Sequence, residues 1–281
     1  MAETDRGNLN LTAADLDFLV STAAPETRDK ARLKQILQED EDFRNAFLED
    51  EEIVRRVVAD RKAFLKISPR LYFEILLRKA RKELMGASHT IEYGSGARKV
   101  AVFDAGKVVD LLSRQEILRY LAEMLSSFTR VQSYSIAYRI REGVWGRIRF
   151  HDADVDSLLH LMEFAGEEFR IHFYKRIADI YLFTLGVFPE YVQLTFRYPY
   201  TGKSRPPFIG TAKRSMEEYE EEGRKFYRLA AEHPMAQGLA LAEVFHTLHD
   251  SFHVARKPLN FIAENYISQD RRRLFDPGED G

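Results

Sequence analysis

The chain has 281 residues and a formal net charge of −2, is 45% hydrophobic, 12% aromatic and 31% charged, and contains no cysteine. That length and apolar content support a sizeable core in one large or two ordinary domains, and the missing cysteines exclude a disulfide scaffold, a cysteine nucleophile and Cys-ligated zinc or iron–sulfur sites. The near-neutral total hides a division: residues 1–60 carry 8 Lys/Arg against 15 Asp/Glu, residues 61–150 carry 18 against 8, and residues 151–281 carry 16 against 21.

Met1–Asn10 is polar and acidic, with no basic stretch leading into an apolar one, so no signal peptide is read there. Short charged helices follow. Thr12 can cap a segment through Val20, Thr27 one through Leu37, and Asp40 and Asp50 two more. The acidic quartets Glu39–Asp42 and Glu49–Glu52 suit helix N-termini, where the backbone dipole favours negative charge. Ser68-Pro69 is a helix start, an N-cap with proline at the first helical position, and Gly86 is its stop. Arg78, Lys79, Arg81 and Lys82 load the C-terminal half of that helix with positive charge.

Two short extended segments, His89–Tyr93 and Lys99–Phe103, flank Gly94-Ser95-Gly96 as a ribbon. Ser113 and Glu116 form a capping-box pattern for a helix reaching about Phe128. From Tyr134 to Phe150 the apolar period changes to two, with a turn at Glu142-Gly143, which predicts a β-hairpin with Arg139, Arg141, Arg147 and Arg149 on its basic face. Asp152 or Asp154 can cap a helix through about Tyr174. Ile177–Phe188, broken by Asp179, Thr184 and Gly186, is too short and polar to span a bilayer. Tyr191–Ile209, rich in proline and glycine, is a connector whose aromatics (Tyr191, Phe196, Tyr198, Tyr200, Phe208) can cover the core or line a pocket. Ser215 and Glu218 give a second capping box. A last long helix is expected over Ala236 to about Arg256, with Pro258 ending it or starting another.

The expected fold class is mainly α: a helical protein with a central basic β-hairpin and a second short β-ribbon. Three parts are expected, an acidic helical N-terminal region (1–66), a basic α+β module with the hairpin (67–150) and a helical C-terminal domain (151–281). A soluble, cytoplasmic protein with no membrane partner is expected, its oligomeric state open.

Two constellations carry chemistry. In the first, the four hairpin arginines, with Arg78 and Lys82, are candidates to contact nucleic-acid phosphates, because the guanidinium fork binds phosphate oxygens bidentately and stays charged. The order helix–strand–turn–strand–helix resembles the wing of a winged-helix module, although only Val108–Leu112 is available for the first of the two helices such a module needs. An acidic protein surface, or the acidic N-terminal arm itself, is the alternative partner. In the second, Glu243-x-x-His246 has the spacing found in di-iron carboxylate bundles, and His249 and His253 have the i, i+4 spacing of a metal pair. His160, Glu163 and Glu167 occupy one face of an earlier helix. Together they suit a divalent metal, non-haem iron, manganese or zinc, in a metal-dependent helical enzyme. Asp179 in its apolar run is either an ion-paired helix residue or an acid–base candidate. The remaining reading is an interaction scaffold with no chemistry.

Overall fold

The computed structural model describes residues 11–60, 62–93, 99–130, 133–141, 144–190, 192 and 214–275; at 93, 99 and 133–151 it describes the backbone alone. The described chain is mainly helical with two small antiparallel ribbons, and it divides into two compact units of interleaved sequence. One comprises residues 1–92, 99–126 and 257–271; the other comprises residues 93–98, 127–256 and 272–281.

The first unit opens with α1 (Ala13–Ala23), α2 (Lys30–Glu39), α3 (Glu41–Leu48) and α4 (Glu51–Ala59), followed by a 3₁₀ turn (Ala63–Leu65). Thr12, Asp29, Asp40 and Asp50 cap the four helices through their side-chain oxygens, so the start of α2 lies at Asp29 rather than Thr27. The Thr12 cap is reciprocal, with Asp15 returning a bond to the Thr12 N–H, and the Asp15 carboxylate also accepts from the Ser68 N–H at 2.7 Å. One buried carboxylate thereby satisfies orphan donors at the starts of two helices.

Ser68 caps α5 (Pro69–Met85) and Gly86 ends it. Leu71, Phe73, Ile75, Leu76 and Leu77 of α5 are fully buried, so this helix is the centre of the unit. Strands β1 (Thr90–Tyr93) and β2 (Lys99–Val102) pair as a ribbon. Then come α6 (Ala105–Ser113) and α7 (Gln115–Ser127). The Ser113 capping box does not form, because Ser113 is the last residue of α6 and its hydroxyl donates to the Val109 carbonyl four residues back. The helix for which only Val108–Leu112 was available in the sequence is nine residues long, starting three residues before Val108.

The second unit contains the hairpin β3 (Ser133–Arg141) and β4 (Val144–His151), then α8 (Val155–Phe164), capped by Asp154. The continuous helix expected through Tyr174 is interrupted. Ala165 and Gly166 adopt extended conformations, a 3₁₀ turn covers Glu167–Phe169, and α9 runs Arg170–Val187. Next is α10 (Met216–Glu232), whose Ser215–Glu218 capping box forms in both directions. Helix α10 packs closely on its neighbours at Gly223, where a Cβ would lie 2.5 Å from the Phe252 ring and 3.1 Å from Tyr181 Cβ of α9. Aromatic rings fill the rest of this core, with Phe128 stacked on Phe183 at 4.0 Å and Phe275 edge-on to Phe183 at 4.9 Å.

The long C-terminal helix is a further correction. It resolves into α11 (Pro234–Gly238), α12 (Ala242–Asp250) and α13 (Phe252–Asn265), before α14 (Arg271–Phe275). Ala240 at φ 54 turns the chain between α11 and α12, a left-handed conformation incompatible with a continuing helix. Ser251, at φ −110 and ψ 25, separates α12 from α13. Pro258 neither ends nor starts a helix but lies inside α13. The cost of its missing N–H is offset by burial of Pro258, Leu259, Ile262 and Ala263 around it. No described helix is long and apolar enough to cross a membrane.

Candidate functional site

The cations of α5 are met by carboxylates of the N-terminal helices. Arg78 is buried, at 1% side-chain exposure. Its guanidinium donates to Glu74 Oε1 at 2.6 Å, Asn45 Oδ1 at 2.7 Å, Gln115 Oε1 at 3.1 Å and Glu49 Oε1 at 3.3 Å. Glu49 also accepts from Arg81 at 2.5 Å, Glu51 from Lys82 at 3.0 Å and Glu41 from Arg119 at 2.6 Å. The Lys82 hydrogen bond, then its charge, hold the Glu51 carboxyl below the usual carboxylate range. Arg44, buried beside this network, donates to the Leu37 and Gln38 carbonyls; burial, then the charge of Arg119, lowers its pKa. Arg78 therefore corrects the sequence reading. Its donors are consumed by protein groups, and a buried, paired guanidinium has no face to offer a phosphate. Lys82 remains 61% exposed, but on Glu51.

The hairpin arginines stand differently. Their side chains lie outside the described part of the chain, as do the turn at 142–143, the Gly94–Gly96 turn and the aromatic connector, Val192 apart. The backbone register is described. Ser135 faces Arg149, Ala137 faces Arg147 and Arg139 faces Trp145, so Arg139, Arg147 and Arg149 occupy positions of one face of the ladder. A register shift between Arg139 and Arg141 sets Arg141 opposite Val144, outside that series. The hairpin belongs to the second unit, whereas α6 and α7, the helices of the winged-helix resemblance, belong to the first.

Apart from His253, the metal candidates do not converge. Among the described residues, Glu243, His246, His249, Glu163 and Glu167 form no group of three ligand atoms. The break at Ser251 puts His246 and His249 on α12 and His253 on α13. Glu243 and His246 are exposed. His249 Nδ1 lies 2.9 Å from the Arg224 carbonyl, to which it donates, while Arg224 Nε donates to the His249 carbonyl at 3.1 Å. That reciprocal pair staples α12 to α10. His253 Nδ1 lies 3.5 Å from Glu220 Oε2, and Arg256 reaches the same oxygen at 3.6 Å. Burial pushes the Glu220 carboxyl up, but His253, Arg256 and Arg224 outweigh it, and it titrates below the ordinary range. His160 sits near Glu163 at 3.7 Å on α8, whereas Glu167 falls on the 3₁₀ turn beyond the break, pairing with Arg170 at 2.8 Å. The i, i+7 relation expected for one helix face is thereby lost.

Asp179 is fully buried and accepts from Lys175 Nζ at 2.7 Å and from the Tyr227 hydroxyl at 2.8 Å, the ion-paired alternative of the two expected for it. One buried cluster escaped the sequence reading. Lys257, next to Pro258, is 1% exposed at its side chain and is bound by Glu92 and Asp104, while Thr90 donates to Asp104 at 2.6 Å. Nothing in local spacing joins positions 92, 104 and 257; only the i, i+2 alternation of Thr90 and Glu92 was visible. Comparisons with protein-family models, with curated proteins and with solved structures find no match for this chain.

Proposed function

We propose that this is a regulatory or interaction protein whose β3–β4 ribbon binds the phosphate backbone of nucleic acid. The observation that carries the reading is the engagement of the N-terminal carboxylates inside the first unit. The acidic N-terminal arm is the rival partner for the hairpin arginines, and Glu41, Glu49 and Glu51 of that arm each already hold a cation of α5 or α7. The hairpin retains four arginines against one acidic residue, Glu142, over residues 133–151. A two-stranded ribbon also has a cross-section that the major groove of a duplex admits.

Anisotropy titration of a labelled duplex at ~50 and ~200 mM salt tests this. Four phosphate contacts predict a slope of log K against log salt of about −3.6, a loss of roughly 100-fold between those conditions. Changing Arg139, Arg141, Arg147 and Arg149 together to Glu is expected to abolish binding while leaving the thermal melt in place. Equal binding by the variant would refute the reading, and competition by polyglutamate but not by duplex would assign the ribbon to an acidic protein surface instead.

A further inference from the structure

The backbone of the β3–β4 ribbon sorts its residues into two faces. Directly opposed residues of an antiparallel pair share a face, and alternate residues along each strand return to it. One face holds the pairs Tyr134–Phe150, Ile136–Ile148 and Tyr138–Gly146. None of these residues is charged, and they supply the apolar side that an antiparallel ribbon commonly packs on a core. The other face holds Ser133–His151, Ser135–Arg149, Ala137–Arg147 and Arg139–Trp145. Arg139, Arg147 and Arg149 stand there, and so does Trp145, the only tryptophan in the chain. The apolar side is complete without that indole. Trp145 is opposite Arg139, and along β4 it begins a row with Arg147 and Arg149 at intervals of about 6.8 Å. The positions opposite Arg147 and Arg149 hold the small neutral residues Ala137 and Ser135, so no like charge directly opposes either.

We infer that this face binds single-stranded nucleic acid, with a base stacked at Trp145 and phosphates taken by the arginines that share its face. This narrows the phosphate-backbone reading, on which it rests. Phosphate contacts alone position a nucleic acid without reading its bases. An aromatic ring set among cations adds a second contact, because every base has a π-face, and a cationic track with aromatic platforms holds single strands whatever their sequence. Bases of a loop or a free strand can splay out onto such a platform, whereas those of a duplex are stacked on one another. Single strands of DNA and RNA share this chemistry.

The probe is oligoadenylate of about 12 nucleotides, as DNA and as RNA, titrated into the full chain and followed by the fluorescence of Trp145, which no second tryptophan obscures. Saturable quenching is expected, and quenching by one of the two alone supports the site and fixes the sugar it takes. An abasic strand of the same length carries the phosphates without the bases. It is expected to bind at least about tenfold more weakly and to leave the fluorescence unmoved. Trp145→Ala is expected to bring the base-bearing strand down to the abasic level, read by anisotropy of a labelled strand, with abasic binding unchanged. Trp145→Phe, which retains a ring, is expected to recover most of the loss, and the circular-dichroism melt of each variant checks folding. Equal binding of abasic and base-bearing strands, unmoved fluorescence at saturation, or wild-type affinity in folded Trp145→Ala overturns the inference and leaves the phosphate reading standing. Failure of every strand and of duplex to bind overturns both.

Discussion

At the scale of single residues, packing and burial set the sharpest expectations. Gly223 faces the Phe252 ring at 2.5 Å and Tyr181 Cβ at 3.1 Å from where a Cβ would stand. Both neighbours are buried, so neither can give way freely. Gly223→Ala is expected to destabilise the protein by about 1–3 kcal/mol, read as a lowered melting temperature, and an unchanged melt would show that Phe252 and Tyr181 do not approach Gly223 so closely. Tyr72 offers a pH-dependent test. Burial, then the Asp270 charge, raise its hydroxyl pKa to about 12. The unfolded chain ionises there near 10, so above that pH the unfolded state releases a proton that the folded state keeps. Stability is thus expected to fall by about 1.4 kcal/mol per pH unit from this group between pH ~10 and its folded value. Tyr72→Phe should flatten the alkaline limb of a stability–pH curve by one proton; an unchanged limb would remove Tyr72 as its cause.

At the scale of elements, α5 shows how charge is built into a helix. Glu74 and Arg78, four residues apart, are both 1% exposed and bonded to one another. Glu74 Oε2 has no partner, so that carboxylate depends on Arg78 for its compensation. Arg78→Ala is expected to cost about 3–5 kcal/mol by leaving the charge buried and unpaired, whereas Glu74→Leu with Arg78→Met should lose much less. Denaturant melts of the three proteins check this, and equal losses would place the energy in packing rather than charge. The start of α5 was legible from Ser68-Pro69 because N-caps act within one turn, and Gly86 marked its end for the same reason. The Ser113 box failed because a serine hydroxyl has a competing acceptor, the carbonyl four residues back. The broken C-terminal helix was illegible for another reason. Ala240 and Ser251 carry no local signal for a break, and Pro258 carries a signal that buried neighbours override.

At the scale of the molecule, the first unit closes with residues 257–271, far in sequence from its other parts. Leu259 and Ile262 there are fully buried, and Lys257 is held by Glu92 and Asp104. A chain ending at residue 256 is therefore expected to lose the cooperative melt of the first unit and to bind more of a hydrophobic dye. A truncated protein that melts like the full chain would show that this segment is dispensable. The charge division along the sequence also changes meaning at this scale. Acidic residues of the N-terminal helices meet the basic residues of α5 and α7, so part of the basic centre is neutralised by the fold itself, and the hairpin is left as the place to seek a phosphate contact.

The sequence by itself determined the mainly helical class, the two ribbons and the caps at Thr12, Asp40, Asp50, Ser68 and Ser215. These follow from periodicity and from side chain–backbone bonds within about four residues, which need no knowledge of the rest of the chain. Only the tertiary structure decided that Arg78 is buried, that His249 staples α12 to α10, and that Lys257 completes a site begun at Thr90. Those outcomes rest on burial and on pairing between residues far apart in sequence, and neither leaves a mark in local spacing.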